Sequence, residues 1–156
     1  MKHESPLVRV AEPEDFSQIM ELCQKLYAEN GAVNVSWLAV EAAIIDAVNG
    51  FGASIGVVGP IGAIEGMIYL RISKMWYSEE TILEEMFNYV PPDHRKGKNS
   101  QALIAFAKNA AHRFNVPLLI GIISNNRTKA KIRHYTQQLG EPAGAFFLYN
   151  AKTGGR

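Results

Sequence analysis

The sequence predicts an α/β (α+β) fold, a mixed sheet covered by helices in the order β-α-α-β-β-β-α-β-α-β. Two observations carry this expectation. Apolar residues recur at spacings of three and four in some stretches and alternate or run continuously in others, so helices and strands share the chain. The β-rich stretches include both a hairpin and strands separated by helical segments, a mixture that calls for a sheet with antiparallel and crossover connections. The 156 residues are 47% hydrophobic and 20% charged, which excludes a disordered chain. They are read as one domain over 1–156 with a polar tail at 151–156.

Leu7 to Ala11 alternates and opens the fold as a strand. Pro13, Glu14 and Asp15 start a helix, because proline fits the first turn and acids favour its positive end. Phe16, Ile19, Met20, Cys23, Leu26 and Tyr27 line its apolar face, and Asn30-Gly31 ends it. Ser36 caps a second helix whose stripe is Leu38, Ala42, Ile45 and Val48, closed by Asn49-Gly50. Strands follow over Ala53–Val58 and Ile61–Ile72, joined by a hairpin at Gly59-Pro60. A further strand over Ile82–Val90 stops at Pro91-Pro92, which cannot continue a sheet. Leu103, Phe106, Ala107, Ala110 and Phe114 mark a helix from Ser100. Val116–Ile123 is a continuous apolar run, as in a strand buried on both faces. Thr128–Leu139 is helical to Gly140, and Ala145–Tyr149 is a last strand.

The net charge of +1 gives no whole-protein field toward nucleic acid or an anionic membrane. No apolar run approaches the roughly 20 residues of a membrane span. The lone Cys23 excludes an internal disulfide and fits a reducing compartment. With no signal peptide visible in the polar start, a cytoplasmic location is expected.

Chemistry concentrates between Val90 and Gln101. There a strand ends at two prolines, and a loop carrying Arg95, Lys96 and Lys98 feeds into a helix. Unpaired amides, the positive helix end and three cations together favour a phosphate or pyrophosphate. Val90-x-Pro92-x-x-Arg95 with its short polar loop resembles the coenzyme A signature of the GCN5-related N-acetyltransferase (GNAT) family. Lys98 and Ser100 stand where that signature has its two glycines, with Gly97 one place early. The opening Val8-Arg9-Val10-Ala11-x-Pro13-x-Asp15 is similar to the family's first strand and helix start. Leu83-Glu84-Glu85-Met86-Phe87 resembles the fourth strand of its diamine-acetylating branch. Asn126, Tyr135 and Leu139-Gly140 resemble its last motif, with the tyrosine five residues before the glycine where four is usual.

The resemblance implies a mostly antiparallel sheet flanked by helices. It also implies an acetyl-CoA-dependent N-acetyltransferase, with a non-catalytic acyl-CoA-binding or regulatory domain as the alternative. Acetyl-CoA would be the co-substrate, held by Tyr89 and Val90 at the strand end, by Arg95, Lys96, Gly97, Lys98, Asn99 and Ser100 in the loop, and by Asn126. Glu85 would take the proton of the amine, with Glu84 or a water chain as the fallback, because consecutive strand residues face opposite sides and only one carboxylate can face a cleft. Tyr135 would give a proton to the departing thiolate. Tyr27, Trp37 and Glu84 are expected beside the acceptor, a small-molecule amine or a protein lysine.

Other residues have structural readings. Cys23 sits on an apolar helix face, and the four histidines lack ligand spacing, so no metal is expected. Arg127 and Lys131 share one helix face and Lys129 and Arg133 another, as on a solvated helix. Gly56, Gly59 and Gly62 precede no helix and are not a dinucleotide fingerprint. The aromatic run in the last strand, placed at the sheet edge, predicts a homodimer, since proteins cover such edges.

Overall fold

The computed structural model describes residues 4–151. Residues 1–3 and most of the predicted tail, 152–156, lie outside the described part. The first strand, β1 (Val8–Val10), is followed by a 3-10 turn at Pro13–Asp15 and helices α1 (Phe16–Asn30) and α2 (Trp37–Val48). Ser36 caps α2 as its position predicts, its hydroxyl accepting the Ala39 amide at 3.2 Å. Strands β2 (Ala53–Val58), β3 (Gly66–Ser73) and β4 (Ile82–Tyr89) then pair in order, all antiparallel. A crossover through α3 (Asn99–Phe114) brings β5 (Leu118–Leu119) parallel to β4, and α4 (Thr128–Leu139) follows. The mixed, mostly antiparallel sheet flanked by helices agrees with the sequence expectation.

Each face of the sheet has its own apolar layer. Ile19, Leu22, Cys23 and Leu26 of α1 and Ile44 of α2 pack with Ile55, Val57, Met67 and Phe87. Leu103, Ala107 and Ala111 of α3 pack with Ile68, Leu70 and Leu83. Gly56 permits the close approach of α3, since a Cβ there would meet the Phe106 ring at 2.7 Å. Burial pushes the Cys23 thiol up to about 12, consistent with the packing role expected for it.

Three predicted strands change. The strand expected from Ile61 begins at Gly66, because residues 59–65 form a longer turn in which Gly59 and Gly62 both take positive φ. Only Leu118–Leu119 of the Val116–Ile123 run pairs with β4, because no strand lies beyond it and β4 turns away after Glu84. The strand predicted over Ala145–Tyr149 does not form, and residues 140–151 carry no regular structure. Gly140 at φ 94 turns the chain as it leaves α4, and Phe146, Phe147 and Tyr149 are 85%, 94% and 96% exposed. The sheet-edge basis for a homodimer therefore lacks its strand.

The N-terminal corner is tied by one ion pair. Arg9 donates from Nη1 and Nη2 to the two oxygens of Asp15, both at 2.8 Å, and from Nε to the Gly59 carbonyl at 2.9 Å. Asp15 also accepts the Glu12 amide at 2.8 Å. The hydrogen bonds from Arg9 hold the Asp15 carboxyl below its ordinary range despite burial. Asp15→Ala leaves the guanidinium without its carboxylate and with only the Gly59 carbonyl, and a loss of about 3 kcal/mol in urea unfolding at pH 7 is expected, the low end for a buried pair because Arg9 keeps partial exposure. The wild-type advantage from this lowered carboxyl is present above the ordinary carboxylate pKa and fades as pH falls through the native value.

Candidate functional site

The cleft begins where the sheet comes apart. β4 pairs with β5 only through Leu83–Leu118 and Glu84–Leu119. In the β3 register, Tyr69 faces Phe87 and Leu70 faces Glu85, so Met86 has no partner and forms a bulge. A bulge bends its strand and sharpens its twist, and beyond it β4 and the chain after β5 diverge. The opening is a cleft of about 550 Å³ walled by α1, the 31–36 loop, α2, β4, residues 121–124, α4 and Phe146.

Glu85, Tyr135 and Tyr27 meet in this cleft. Burial pushes the Glu85 carboxyl up from an ordinary 4.5 to about 8; the Gly121 amide lowers it, and the charge of Glu84 raises it. Its Oε2 is shielded from solvent and has no hydrogen-bond partner. The Tyr135 hydroxyl accepts from Asn88 Nδ2 at 3.1 Å, which leaves its own proton free. Burial, together with the nearby Glu85 charge, holds that phenol protonated. Burial likewise pushes Tyr27 up to about 12.

Glu84, expected beside an acceptor, lies outside the cleft. The strand alternation turns it to the other side, where Arg71 Nη2 meets it at 3.2 Å. Trp37 does not line the cleft either; it stands edge-on to Tyr27 with ring centroids 6.3 Å apart. Its position at the start of α2 leaves it 40% exposed. Asn126 lies in the exposed turn before α4 and does not line the cleft, its amide and carbonyl both bonded to Ser124.

The basic loop is more tied down than its sequence suggests. Arg95 does not project into solvent as a free cation. It donates to the Val90 carbonyl at 2.8 Å and to Glu29 at 2.8 Å, and it lies over the Tyr89 ring at 5.8 Å. Tyr89 is a core residue, and the Val90 side chain packs against the α3 layer. Asn99 is buried and reaches the Glu65 carbonyl, while Ser100 Oγ is 3.0 Å from His134 Nε2. Lys96, Gly97, Lys98 and Asn99 border a second, shallower depression that also carries Glu4, Glu65 and Asp93. The amides of residues 99–101 make no hydrogen bond among the described residues, as expected for a first helical turn.

Sequence reasoning missed one cluster. Lys131 is not on a solvated face: its Nζ donates to Ser124 Oγ at 2.7 Å and to Asn30 Oδ1 at 3.3 Å. Desolvation lowers its pKa, against the opposing charge of Glu29. Its spacing of four from Tyr135 placed both on one side of α4, which was the available signal. Asn88 and the Gly121 amide left none, because their roles depend on where the strands part.

No family model matches the sequence, and no curated protein sequence matches it. Solved structures do. An acetyltransferase of Trypanosoma brucei is 22% identical with a TM-score of 0.67, covering 91% of this chain and 96% of its own. A ribosomal-protein-alanine N-acetyltransferase from Brucella melitensis is 14% identical with a TM-score of 0.69, covering 96% and 100%. AAC(6')-Iy, in complex with the bisubstrate analogue CoA-S-monomethyl-acetylneamine, is 14% identical with a TM-score of 0.67, covering 96% and 99%. The fold of this chain is the GNAT fold.

The raised Glu85 carboxyl carries a signed consequence for stability. A carboxyl whose native pKa exceeds its unfolded value stabilises the fold while protonated, and that stability is lost as pH climbs from about 4.5 through about 8. Glu85→Gln removes this dependence. Its stability in chemical unfolding should match the wild type near pH 4 and exceed it at pH 9 by on the order of 5 kcal/mol. Parallel pH profiles of the two proteins would contradict the buried carboxyl.

Proposed function

We propose that this protein transfers the acetyl group of acetyl-CoA to an amine held in the cleft, with Glu85 as the base. The observation that carries the proposal is the shielded, unpartnered Oε2 of Glu85, set beside a phenol whose proton is free, on a fold shared with acetyltransferases.

Proton matching favours this carboxylate. An alkylammonium has a pKa of about 10.4. An ordinary carboxylate lies about six units below it, so accepting that proton costs about 8 kcal/mol. At about 8, Glu85 narrows the gap to about two units and the cost to about 3 kcal/mol. The freed amine nitrogen bonds to the thioester carbon, the carbon–sulfur bond breaks, the first proton stays on Glu85 until water takes it, and the second proton that nitrogen sheds as the amide forms restores the Tyr135 phenol. Acetyl-CoA supplies an activated acyl group whose leaving thiol is only modestly basic, with a pKa near 8.5 by analogy with cysteine. Tyr135 gives its proton to that sulfur, and Asn88 keeps the phenol oxygen in position.

The residues present fit the cofactor in specific places. The unpaired amides of residues 99–101, at the positive end of a 16-residue helix, suit a pyrophosphate, and Lys96 and Lys98 supply charge nearby. The Val90 amide, without a partner among the described residues, suits the thioester oxygen. Arg95 acts differently from the loop's lysines, holding the loop to Glu29 of α1. Among the described residues no helix is long and apolar enough to cross a membrane, and no group of metal-ligating side chains occurs.

Thiol release from acetyl-CoA with a panel of amines tests the activity. Glu85→Gln should lower kcat/KM by about 10²–10⁴-fold. The wild-type rise of kcat/KM through about pH 8 should vanish with it. CoA binding without thiol release from any amine would instead leave the acyl-CoA-binding reading.

Calorimetry tests the cofactor loop. Ser100→Pro deletes one first-turn amide and should weaken CoA binding by about tenfold or more. An unchanged Kd moves the pyrophosphate elsewhere.

A further inference from the structure

We propose that the acceptor is an amine carrying a single positive charge on an apolar body, and that polycationic amines are excluded. This rests on the transferase reading above and names the substrate class of the same cleft.

Among the described residues, the cleft wall offers one carboxylate and one ammonium, Glu85 and Lys131. The remainder is dominated by aliphatic and aromatic surface, including Val33, Val35, Val40, Met86, Ile122 and Phe146. The neighbouring acids are spoken for. Glu29 is paired with Arg95 at 2.8 Å, and Glu84 turns to Arg71 on the other side of β4. The acidic pair that resembles a diamine-acetylating strand therefore presents only one of its carboxylates to the cleft.

One ammonium entering the cleft meets Glu85. A second ammonium on the same molecule would leave water against apolar walls with no counter-ion, which is costly. It would also approach Lys131, whose charge is held in the cleft by Ser124 and Asn30. Like-charge juxtaposition of this kind is how a site rejects a competitor without contacting it favourably. With Glu85 largely protonated near neutral pH, the wall leans positive, which strengthens the rejection. An apolar body, by contrast, gains from the exposed apolar surface at the rim, where Val33 is 64% and Phe146 85% exposed.

The test compares phenethylamine and hexylamine with spermidine and neamine, using the full chain, acetyl-CoA and thiol release. The monoamines should exceed the polycations by about tenfold or more in kcat/KM. Equal or better turnover of spermidine or neamine overturns the acceptor class and leaves acetyl transfer standing. Turnover of none of the four, with CoA binding intact, overturns the transferase reading and this inference with it. Val33→Asp then places a carboxylate on the cleft wall at an exposed position. It should shift the spermidine-to-phenethylamine ratio toward spermidine by at least about threefold. A ratio that does not move contradicts the electrostatic origin of the selection.

Discussion

The separation of β4 from its parallel neighbour is the constraint on which the site depends. A sheet normally satisfies every interior backbone group and leaves no gap. Here the parallel ladder is two residues long, and the bulge at Met86 bends β4 immediately after Glu85. Three consequences follow from that one irregularity. The Glu85 carboxylate enters the opening and takes the Gly121 amide from the departing chain. The Val90 amide reaches the strand end without a partner among the described residues. The prolines that follow then turn the chain into the first turn of α3. A straight, fully paired β4 would bury its carboxylate against another strand and present no cleft.

Packing on both sides keeps that opening from collapsing. The α1–α2 layer and the α3 layer grip the paired part of the sheet on opposite faces, so β4 is fixed up to the bulge. Arg95 bridges the end of β4 to α1 through Val90 and Glu29, a brace across the mouth rather than a ligand group held out into solvent. α4 contributes through two residues one turn apart. Tyr135 reaches Asn88 on β4, and Lys131 reaches Ser124 and the end of α1. The wall is therefore pinned at three separate points by polar contacts whose geometry is directional.

What was legible in the sequence was what local periodicity decides. The α1 face, the Ser36 cap and the antiparallel pairing of β2 with β3 depend on near neighbours and formed as the pattern indicated, whereas α2 turns Ile44, Ala47 and Val48 inward and leaves the expected Leu38, Ala42 and Ile45 exposed. The choice between Glu84 and Glu85 was also partly legible, because strand alternation allows only one of two adjacent carboxylates to face a given side. Features that depend on a distant partner were not legible. Val116–Ile123 has strand composition, yet most of it lacks a strand to pair with. Phe146, Phe147, Leu148 and Tyr149 are good strand residues, but Gly144 and Pro142 lead into them and no open ladder receives them. Arg95 and Lys131 looked like solvated cations because Glu29 and Asn30, which help to hold them, are 66 and 101 residues away in sequence. The bulge left no mark in Leu83-Glu84-Glu85-Met86-Phe87, since bulged and regular strands use the same residue types there.

Basicity and selectivity in this cleft share one physical origin, which limits how either can change. The apolar surroundings that lift Glu85 toward the ammonium pKa do so by denying its charged form solvation. The same surroundings deny solvation to any additional cation on the acceptor. Adding carboxylates or admitting water to welcome a polycation has opposing effects on Glu85: nearby negative charge raises its pKa further, while water lowers it. A wall altered by charge alone would hold Glu85 protonated to higher pH, and one altered by hydration would return it toward an ordinary, weakly basic carboxylate. Under the proposed reaction, a base near 8 and an apolar acceptor are two readouts of one desolvated wall, and the geometry that sets that wall is the bulge in β4.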